Sequence, residues 1–264
     1  MRWAAHAEAE RRGRLVLIHG MSSLGESWWR MGPELARRGW DVTAVQQLGH
    51  GGAAAPGQVD AEALADAVLA QHPEPADVLI GHSLGTITAL ALLDRHPGWA
   101  GTVILEEPPK GLVAGSHELA LALTESLHQR AAQVRIDRAA VEQFVRLDCP
   151  RWADDDVFWA VEGIARMDVA AYATWLESGV ELDVVEQALH TTPAPWVLAA
   201  ISPKTFLEGG SALPDSERRR LAAELPPGHV IEIAGGHCLH RDAPAAWLAA
   251  LARILSEEAT TRDS

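Results

Sequence analysis

The sequence predicts an α/β protein with a mostly parallel, doubly wound sheet and an inserted block of helices. Short apolar runs bounded by turn residues recur along the chain, and near-continuous hydrophobicity is typical of strands buried on both faces of a parallel sheet. Helical stretches separate the first four runs, which is the alternation of a doubly wound fold. The six predicted strands are 14–20, 40–47, 76–83, 101–107, 195–201 and 229–236.

Helical sequences fill the spaces between these strands. SWWRMGPELARRG (27–39) follows the first strand and DAEALADAVLAQH (60–72) follows the second. Gly39 is well placed to end the first of these helices, because glycine readily adopts the left-handed conformation that follows a helix. The stretch PAAWLAALARIL (244–255) predicts a terminal helix after the last strand.

The alternation stops between Pro108 and Thr192, where no strand signal occurs. We therefore expect residues 1–109 and 191–264 to form the α/β core, with 110–190 as a helical cap. Four helices are predicted there, at 116–132, 137–147, 153–167 and 168–179, with Ser116, Asp137 and Asp168 at N-cap positions and Gly179 as a stop. The insert is rich in aromatic residues, which either bind its helices together or also line a substrate cavity; Trp159 and Trp175 are the candidates for the second role.

The composition indicates one catalytic unit with a small-molecule partner. With 264 residues the chain can bury a sizeable core. Its formal charge of −14 argues against nucleic acid or an anionic membrane as partner. Neither a signal peptide nor a membrane-spanning run is recognisable, so a cytoplasmic protein is expected. Cys149 and Cys238 are too few for a disulfide framework and are expected to be reduced thiols.

The stretch DVLIGHSLGT (77–86) predicts a nucleophile at a sharp turn between strand and helix. Ser83 lies between Gly81 and Gly85, and small neighbours allow the strand and the helix to approach closely around a strained residue. Such a turn displays one hydroxyl group at the edge of the sheet. Ser83 is therefore the candidate nucleophile.

A serine hydroxyl needs a base, and the candidate is His237. It follows the last predicted strand and the flexible pair Gly235–Gly236, and a histidine after the last strand suits the chain order of serine before histidine. His240, three residues further on, is the alternative. The backbone N–H groups of Leu84, which follows the serine, and of Met21, in the loop after the first core strand, are the candidate donors to an oxyanion.

Four motifs in this order resemble the α/β-hydrolase superfamily: HGMSS (19–23), LGHGG (48–52), GHSLG (81–85) and GGHCLHRDAP (235–244). The resemblance covers essentially the whole chain. It implies an eight-stranded, mostly parallel sheet, here with one early strand missing, and activity toward esters, thioesters, lactones or amides. It also implies that the inserted helices cover the nucleophile.

Two positions depart from the pattern of these relatives. Gln46 begins the stretch Gln-Gln-Leu-Gly-His-Gly where relatives carry an aspartate, so a structural acid is lost. The usual triad acid is also missing, because SPKTFLEGG (202–210) offers Ser202 or Lys204 where a carboxylate is expected.

Some branches of the superfamily hold the acid one strand earlier, and there GTVILEEPP (101–109) offers Glu106. Glu106 is therefore the expected partner of His237. Glu107, whose side chain should point to the opposite face of the strand, and Glu208 or Asp215 on the later loop remain alternatives, as does a site without an acid.

These residues predict a serine hydrolase that acts through an acyl-enzyme on an apolar ester, thioester or lactone. No cofactor and no metal ion are required. An acyl transferase or cyclase that uses the same serine and histidine is one alternative. A ligand-binding protein with an idle site is another, because fold does not determine function.

Overall fold

The computed structural model describes residues 1–55, 57, 59–109, 117–177 and 183–262 of the chain. Seven strands form one sheet, and six of them are the strands that the apolar runs predict. Their bounds are β1 Arg2–Trp3, β2 Gly13–Ile18, β3 Trp40–Val45, β4 Ala76–His82, β5 Ala100–Glu106, β6 Trp196–Ile201 and β7 Val230–Ala234.

The strands lie in the order β1-β3-β2-β4-β5-β6-β7. Only the short β1 pairs antiparallel with its neighbour, and every other pair is parallel. Parallel strands bring their carboxyl ends to one edge of the sheet, and this edge carries the loops after β2, β4, β5, β6 and β7. The predicted fold class is confirmed.

Alternate residues of the strands pack on two helical layers. In β2, Leu15 and Leu17 belong to an apolar cluster with residues of two helices, 31–37 and 244–262, whereas Val16 and Ile18 belong to a second cluster with residues of helices 61–71 and 84–95. This is the period of two expected for a strand buried on both faces. The core helices are α1 Met31–Arg37, α2 Ala61–Gln71, α3 Leu84–Arg95, α9 Asp215–Glu224, α10 Leu239–Asp242 and α11 Pro244–Arg262.

In the described part of the chain, helices fill the segment between β5 and β6, as the loss of strand signal predicts, but there are five and not the four predicted, because α8 follows the predicted stop. Asp137 and Asp168 accept hydrogen bonds from backbone N–H groups of the following turns, whereas Ser116 and Gly179 lie outside the described residues. The five are α4 His117–Ile136, α5 Arg138–Asp148, α6 Asp154–Ala165, α7 Val169–Glu177 and α8 Val184–His190.

The first four of these helices pack on one another, and α8 packs on α3 and α9 of the core. The helical layer beside the site is therefore built from α4 to α7. Of the helices that the structure describes, none combines the length and apolar character that crossing a bilayer requires.

Candidate active site

Ser83 occupies a strained turn between β4 and α3. Its φ is 51° and its ψ is −117°, and its N–H donates a hydrogen bond of 2.9 Å to the carbonyl oxygen of Glu106. A β-carbon at Gly81 would lie 2.3 Å from the carbonyl oxygen of Gly85, and one at Gly85 would lie 2.4 Å from that of Ile18. Only glycine permits this approach, so the two glycines are steric requirements of the turn.

Backbone strain is concentrated at this edge of the sheet. In the part of the chain that the structure describes, three residues other than glycine have a positive φ: Ser22, Ser83 and Glu107. They follow β2, β4 and β5, three neighbouring strands. A positive φ is uncommon for a residue with a side chain and persists where surrounding contacts enforce it, and such residues cluster at functional sites.

His237 is held in its loop by several contacts. Its N–H donates to the carbonyl oxygen of Gly209 at 2.9 Å, and its own carbonyl oxygen accepts from Nε2 of His82 at 2.9 Å. The ring of Phe206 packs edge-on against the imidazole at a centroid distance of 5.0 Å. The side chain of His237 keeps 16% of its surface exposed, so the ring is oriented and yet open to a ligand.

The carboxylate beside His237 belongs to Glu107. Its Oε2 lies 3.4 Å from Nδ1 of His237, and the side chain is fully buried. Three further donors surround the carboxylate: Ala200 N at 2.6 Å, Ser211 Oγ at 2.9 Å and Ala212 N at 2.7 Å. Hydrogen bonds to both oxygens hold the carboxylate in place beside the imidazole.

Glu106 does not take the position that the sequence predicts for it. Its carboxylate accepts hydrogen bonds from the N–H and Nδ1 of His240, at 3.1 and 2.8 Å, and from Nε1 of Trp247 at 3.0 Å. Because successive residues point to opposite sides of the backbone, the carboxylate facing His237 comes from the next residue, Glu107. The expected contact between Glu106 and His237 is therefore wrong.

The other predicted acids lie away from the imidazole. Glu208 accepts hydrogen bonds from the N–H and hydroxyl of Thr205, and the backbone hydrogen bond is the main cause that lowers the pKa of Glu208. Asp215 pairs with Arg218 and is largely exposed. The loop after β6 contributes Phe206 and the Gly209 carbonyl to the site in place of a carboxylate.

His82, Glu106 and His240 form a buried polar cluster beneath Ser83. One ligand atom from each lies within 4.8 Å of the others, which is close enough to consider a metal ion. Most of their hydrogen bonds go to protein partners: Glu106 binds His240 and Trp247, and Nε2 of His82 donates to the His237 carbonyl oxygen. Nε2 of His240 is buried and has no partner among the described residues. Burial lowers the pKa of both histidines well below its ordinary value and raises that of Glu106. We interpret the cluster as a support for the turn and the histidine loop.

The two predicted oxyanion donors lie on the same cavity as the serine. Leu84 is the first residue of α3, where a backbone N–H has no acceptor within the helix. Met21 follows β2 in a loop whose His19 ring binds the backbone N–H of Gln47 and the carbonyl oxygen of Gly20. Gln47 also donates its side-chain amide to the carbonyl oxygen of His19. This glutamine ties the loops after β2 and β3 together.

A cavity of about 260 Å³ lies between the sheet edge and the inserted helices. Ser83, His237, Met21 and Leu84 line its floor. The inserted helices line the rest mainly with apolar side chains: Leu123, Leu127, Phe144, Val145, Ala160, Ile164, Trp175 and Leu176. Trp175 is buried and lines the cavity, as predicted. Trp159 is half-buried and is not among the described residues that line it, so the predicted substrate contact of Trp159 is wrong.

Both cysteines also line this cavity as free thiols. Burial raises the pKa of Cys149 to about 11, and it raises that of Cys238 further. A thiol is nucleophilic only as the thiolate. Neither cysteine therefore offers a competing nucleophile near neutral pH.

The fold and the strained turn at Ser83 are those of an α/β hydrolase. The sequence model of the alpha/beta hydrolase family matches residues 15–251, and the chain belongs to this family. One curated relative, 2-succinyl-6-hydroxy-2,4-cyclohexadiene-1-carboxylate synthase of Shigella flexneri, is 31% identical over 255 residues, covering 91% of this chain and 93% of its own. The pimeloyl-[acyl-carrier protein] methyl ester esterase of Neisseria meningitidis is 32% identical over 186 residues, covering 66% and 67%.

Solved structures show the same architecture. The enol-lactonase of Burkholderia xenovorans superposes with a TM-score of 0.70 at 19% identity, covering 96% of this chain and 94% of its own. At this identity the likeness shows the shared fold alone. The names of the relatives denote different reactions, so membership of the family does not determine the reaction of this chain.

Proposed function

We propose that the protein is a serine hydrolase that acts through an acyl-enzyme on an apolar ester, thioester or lactone. The observation that carries the proposal is the arrangement of Ser83 and His237 on one cavity, with Glu107 buried behind the histidine. A hydroxyl, an imidazole and a carboxylate in this order are the parts of a triad, which is defined by geometry and not by chain position.

The hydrogen bonds support a role for each group. A carboxylate only accepts, so Nδ1 of His237 carries the proton that faces Glu107, and Nε2 is left to accept a proton from Ser83. Ser83 then attacks the acyl carbon, and His237 returns the proton to the leaving group. Glu107 stabilises the imidazolium that forms between these steps.

The remaining groups suit an acyl substrate. The N–H groups of Met21 and Leu84 would donate to the oxyanion of the tetrahedral intermediate. The apolar wall formed by α4 to α7 would act as a cap that binds the acyl chain and excludes water. The relative of Neisseria meningitidis is a methyl ester esterase, which supports an ester as the substrate class.

An acyl transferase or cyclase is the second candidate. The relative that covers 91% of this chain is named a synthase, so a site of this kind does not commit the chain to hydrolysis. An acyl-enzyme formed on Ser83 would then pass its acyl group to a hydroxyl or amine instead of water. Supplying such an acceptor to the working enzyme and separating the products by mass distinguishes the two.

Labelling with a fluorophosphonate tests the proposal directly. The wild type should bind one probe covalently, His237→Ala should react far more slowly, and Ser83→Ala should not react. Ser126→Ala, which removes another hydroxyl that lines the cavity, is the matched control and should label normally. Labelling that persists in Ser83→Ala would exclude Ser83 as the nucleophile, and absence of labelling in the wild type would favour a binding protein with an idle site.

A further inference from the structure

Arg241 is a buried cation on the wall of the proposed active site. It lies in α10, four residues after His237, and only 4% of its surface is exposed. Its side chain lines the same cavity as Ser83. The proposed acyl transfer gives this guanidinium no task.

The contacts of the guanidinium leave much of its hydrogen-bonding capacity unused. Nη2 donates to the hydroxyl of Ser23 at 3.1 Å, and the group lies over the ring of Trp152, with Cζ 4.8 Å from the ring centroid. Nε is buried and has no hydrogen-bond partner among the described residues. A guanidinium has five N–H donors in a planar fork, and most of them find no acceptor in this part of the chain.

No carboxylate pairs with Arg241 in the part of the chain that the structure describes. The two acids among the described residues that line the cavity are engaged elsewhere. Asp242 binds Gly236 N, Trp152 Nε1 and Arg151. Asp148 pairs with Lys204.

Burying a charge without a partner is costly, and natural proteins rarely retain such a group without a use for it. The formal charge of the whole chain is −14, so a bound anion would meet repulsion over most of the surface and attraction at Arg241. We propose that Arg241, together with the Ser23 hydroxyl, binds a carboxylate group of the substrate while the acyl group lies at Ser83. This inference rests on the proposed function and specifies its substrate: an acyl compound that carries a carboxylate.

A carboxylate suits the geometry better than a neutral polar group. The planar guanidinium offers parallel N–H donors that match the two oxygens of a carboxylate, and the indole of Trp152 holds its plane from one side. Ser23 follows Met21 closely in the chain, and Arg241 follows His237 closely. The carboxylate subsite therefore lies beside the reacting groups, and one small molecule in this cavity can reach both.

A pair of matched esters tests the inference. Mono-4-nitrophenyl adipate carries a free carboxylate, and methyl 4-nitrophenyl adipate has the same length without the charge. We expect the wild type to favour the first by kcat/KM, and Arg241→Gln to lose about 30-fold or more on the first while changing little on the second. Arg253→Gln, an exposed substitution in α11, is the control that should match the wild type.

A binding measurement distinguishes failure of this inference from failure of the proposed function. Calorimetry on Ser83→Ala should show that adipate binds more tightly than its dimethyl ester and that adding Arg241→Gln removes the difference. If no ester is hydrolysed but this difference is present, the hydrolase proposal fails and the carboxylate subsite stands. If both esters are hydrolysed equally well and binding shows no charge preference, the subsite is excluded and the hydrolase stands.

Thermal unfolding separates a binding role from a structural one. Removing an unpaired buried charge should leave the Tm of Arg241→Gln equal to or above that of the wild type. A lower Tm with an equal loss on both esters would show that Arg241 supports the fold and does not bind substrate. Arg130 also lines the cavity and is exposed; loss of charge preference in Arg130→Gln alone would also overturn the assignment.

Discussion

Glu107 and His237 are brought to within 3.4 Å of each other although 130 positions separate them along the chain. Glu107 is the first residue after β5 and has a φ of 53°. His237 lies in the loop after β7. The backbone N–H groups of Ala200, in β6, and of Ala212, in the loop after β6, bind the same carboxylate. The acid of the proposed triad is thus held by the neighbouring strand and by the loop that follows it.

Replacing each of the two neighbouring glutamates by glutamine tests which one assists His237. Glu107→Gln should lower kcat by roughly 10²- to 10⁴-fold with little change in KM, because the negative charge that stabilises the imidazolium is lost. Glu106→Gln should cost stability through its bonds to His240 and Trp247 and leave kcat of the folded enzyme within about 10-fold. Circular dichroism under assay conditions establishes the folded fraction, and the reverse ranking of the two kcat values would contradict the assignment.

Trp175 should set the acyl-chain preference. Trp175→Leu enlarges the cavity, so the acyl chain of the preferred 4-nitrophenyl ester should become longer by one or more methylene groups. Trp159→Leu is the matched control, since Trp159 does not line the cavity in the described residues, and its preference should stay that of the wild type. A shift of equal size in both variants would show that the insert responds as a whole.

Gly163 should be required for the contact between α6 and the loop after β2. A β-carbon there would lie 2.3 Å from the carbonyl oxygen of Ser22. In an isolated helix Gly→Ala stabilises by about 1 kcal/mol, yet here Gly163→Ala should lower the Tm and reduce kcat/KM, because it pushes α6 away from the strained loop that carries Met21. Urea unfolding together with ester hydrolysis checks both effects, and a variant more stable than the wild type would refute this contact.

His50 should make stability fall on acidification. Its ring accepts from the N–H of Ser22 and donates to the carbonyl oxygen of Leu48, and burial lowers its pKa to about 4 from the ordinary 6.5. Between these values the unfolded chain binds a proton that the folded chain excludes, so the free energy of unfolding decreases as the pH drops from about 6.5 to 4. The full effect of this one group is about 3 kcal/mol.

Urea unfolding at pH 7 and pH 5 measures this dependence. His50→Gln cannot be protonated and should lose less stability between the two pH values than the wild type does. His19, His82 and His240 are also buried with lowered pKa, so part of the dependence should remain. An unchanged difference between the two pH values would show that His50 is not the group responsible.

Much of the fold could be predicted because its signals are local. Apolar runs locate six of the seven strands, since a strand in a parallel sheet is apolar on both faces. The seventh, Arg2–Trp3, contains two residues and has no periodicity to detect. The glycines around Ser83 identify the turn in the same way, because the close contacts they permit lie within a few residues or on the adjacent strand.

The sequence by itself determined the α/β class, the inserted helices and the positions of Ser83 and His237 after their strands. Only the tertiary structure decided which glutamate faces His237, that Trp175 and not Trp159 lines the cavity, and that Arg241 is buried, the latter two judged on the described residues, among which Arg241 has no carboxylate partner. The physical reason is that hydrophobic period and turn composition are read over a few neighbouring residues. The direction of the Glu107 side chain depends on one positive φ and on a backbone donor about a hundred positions away. The burial and the hydrogen bonds of Arg241 depend on every chain segment that surrounds it.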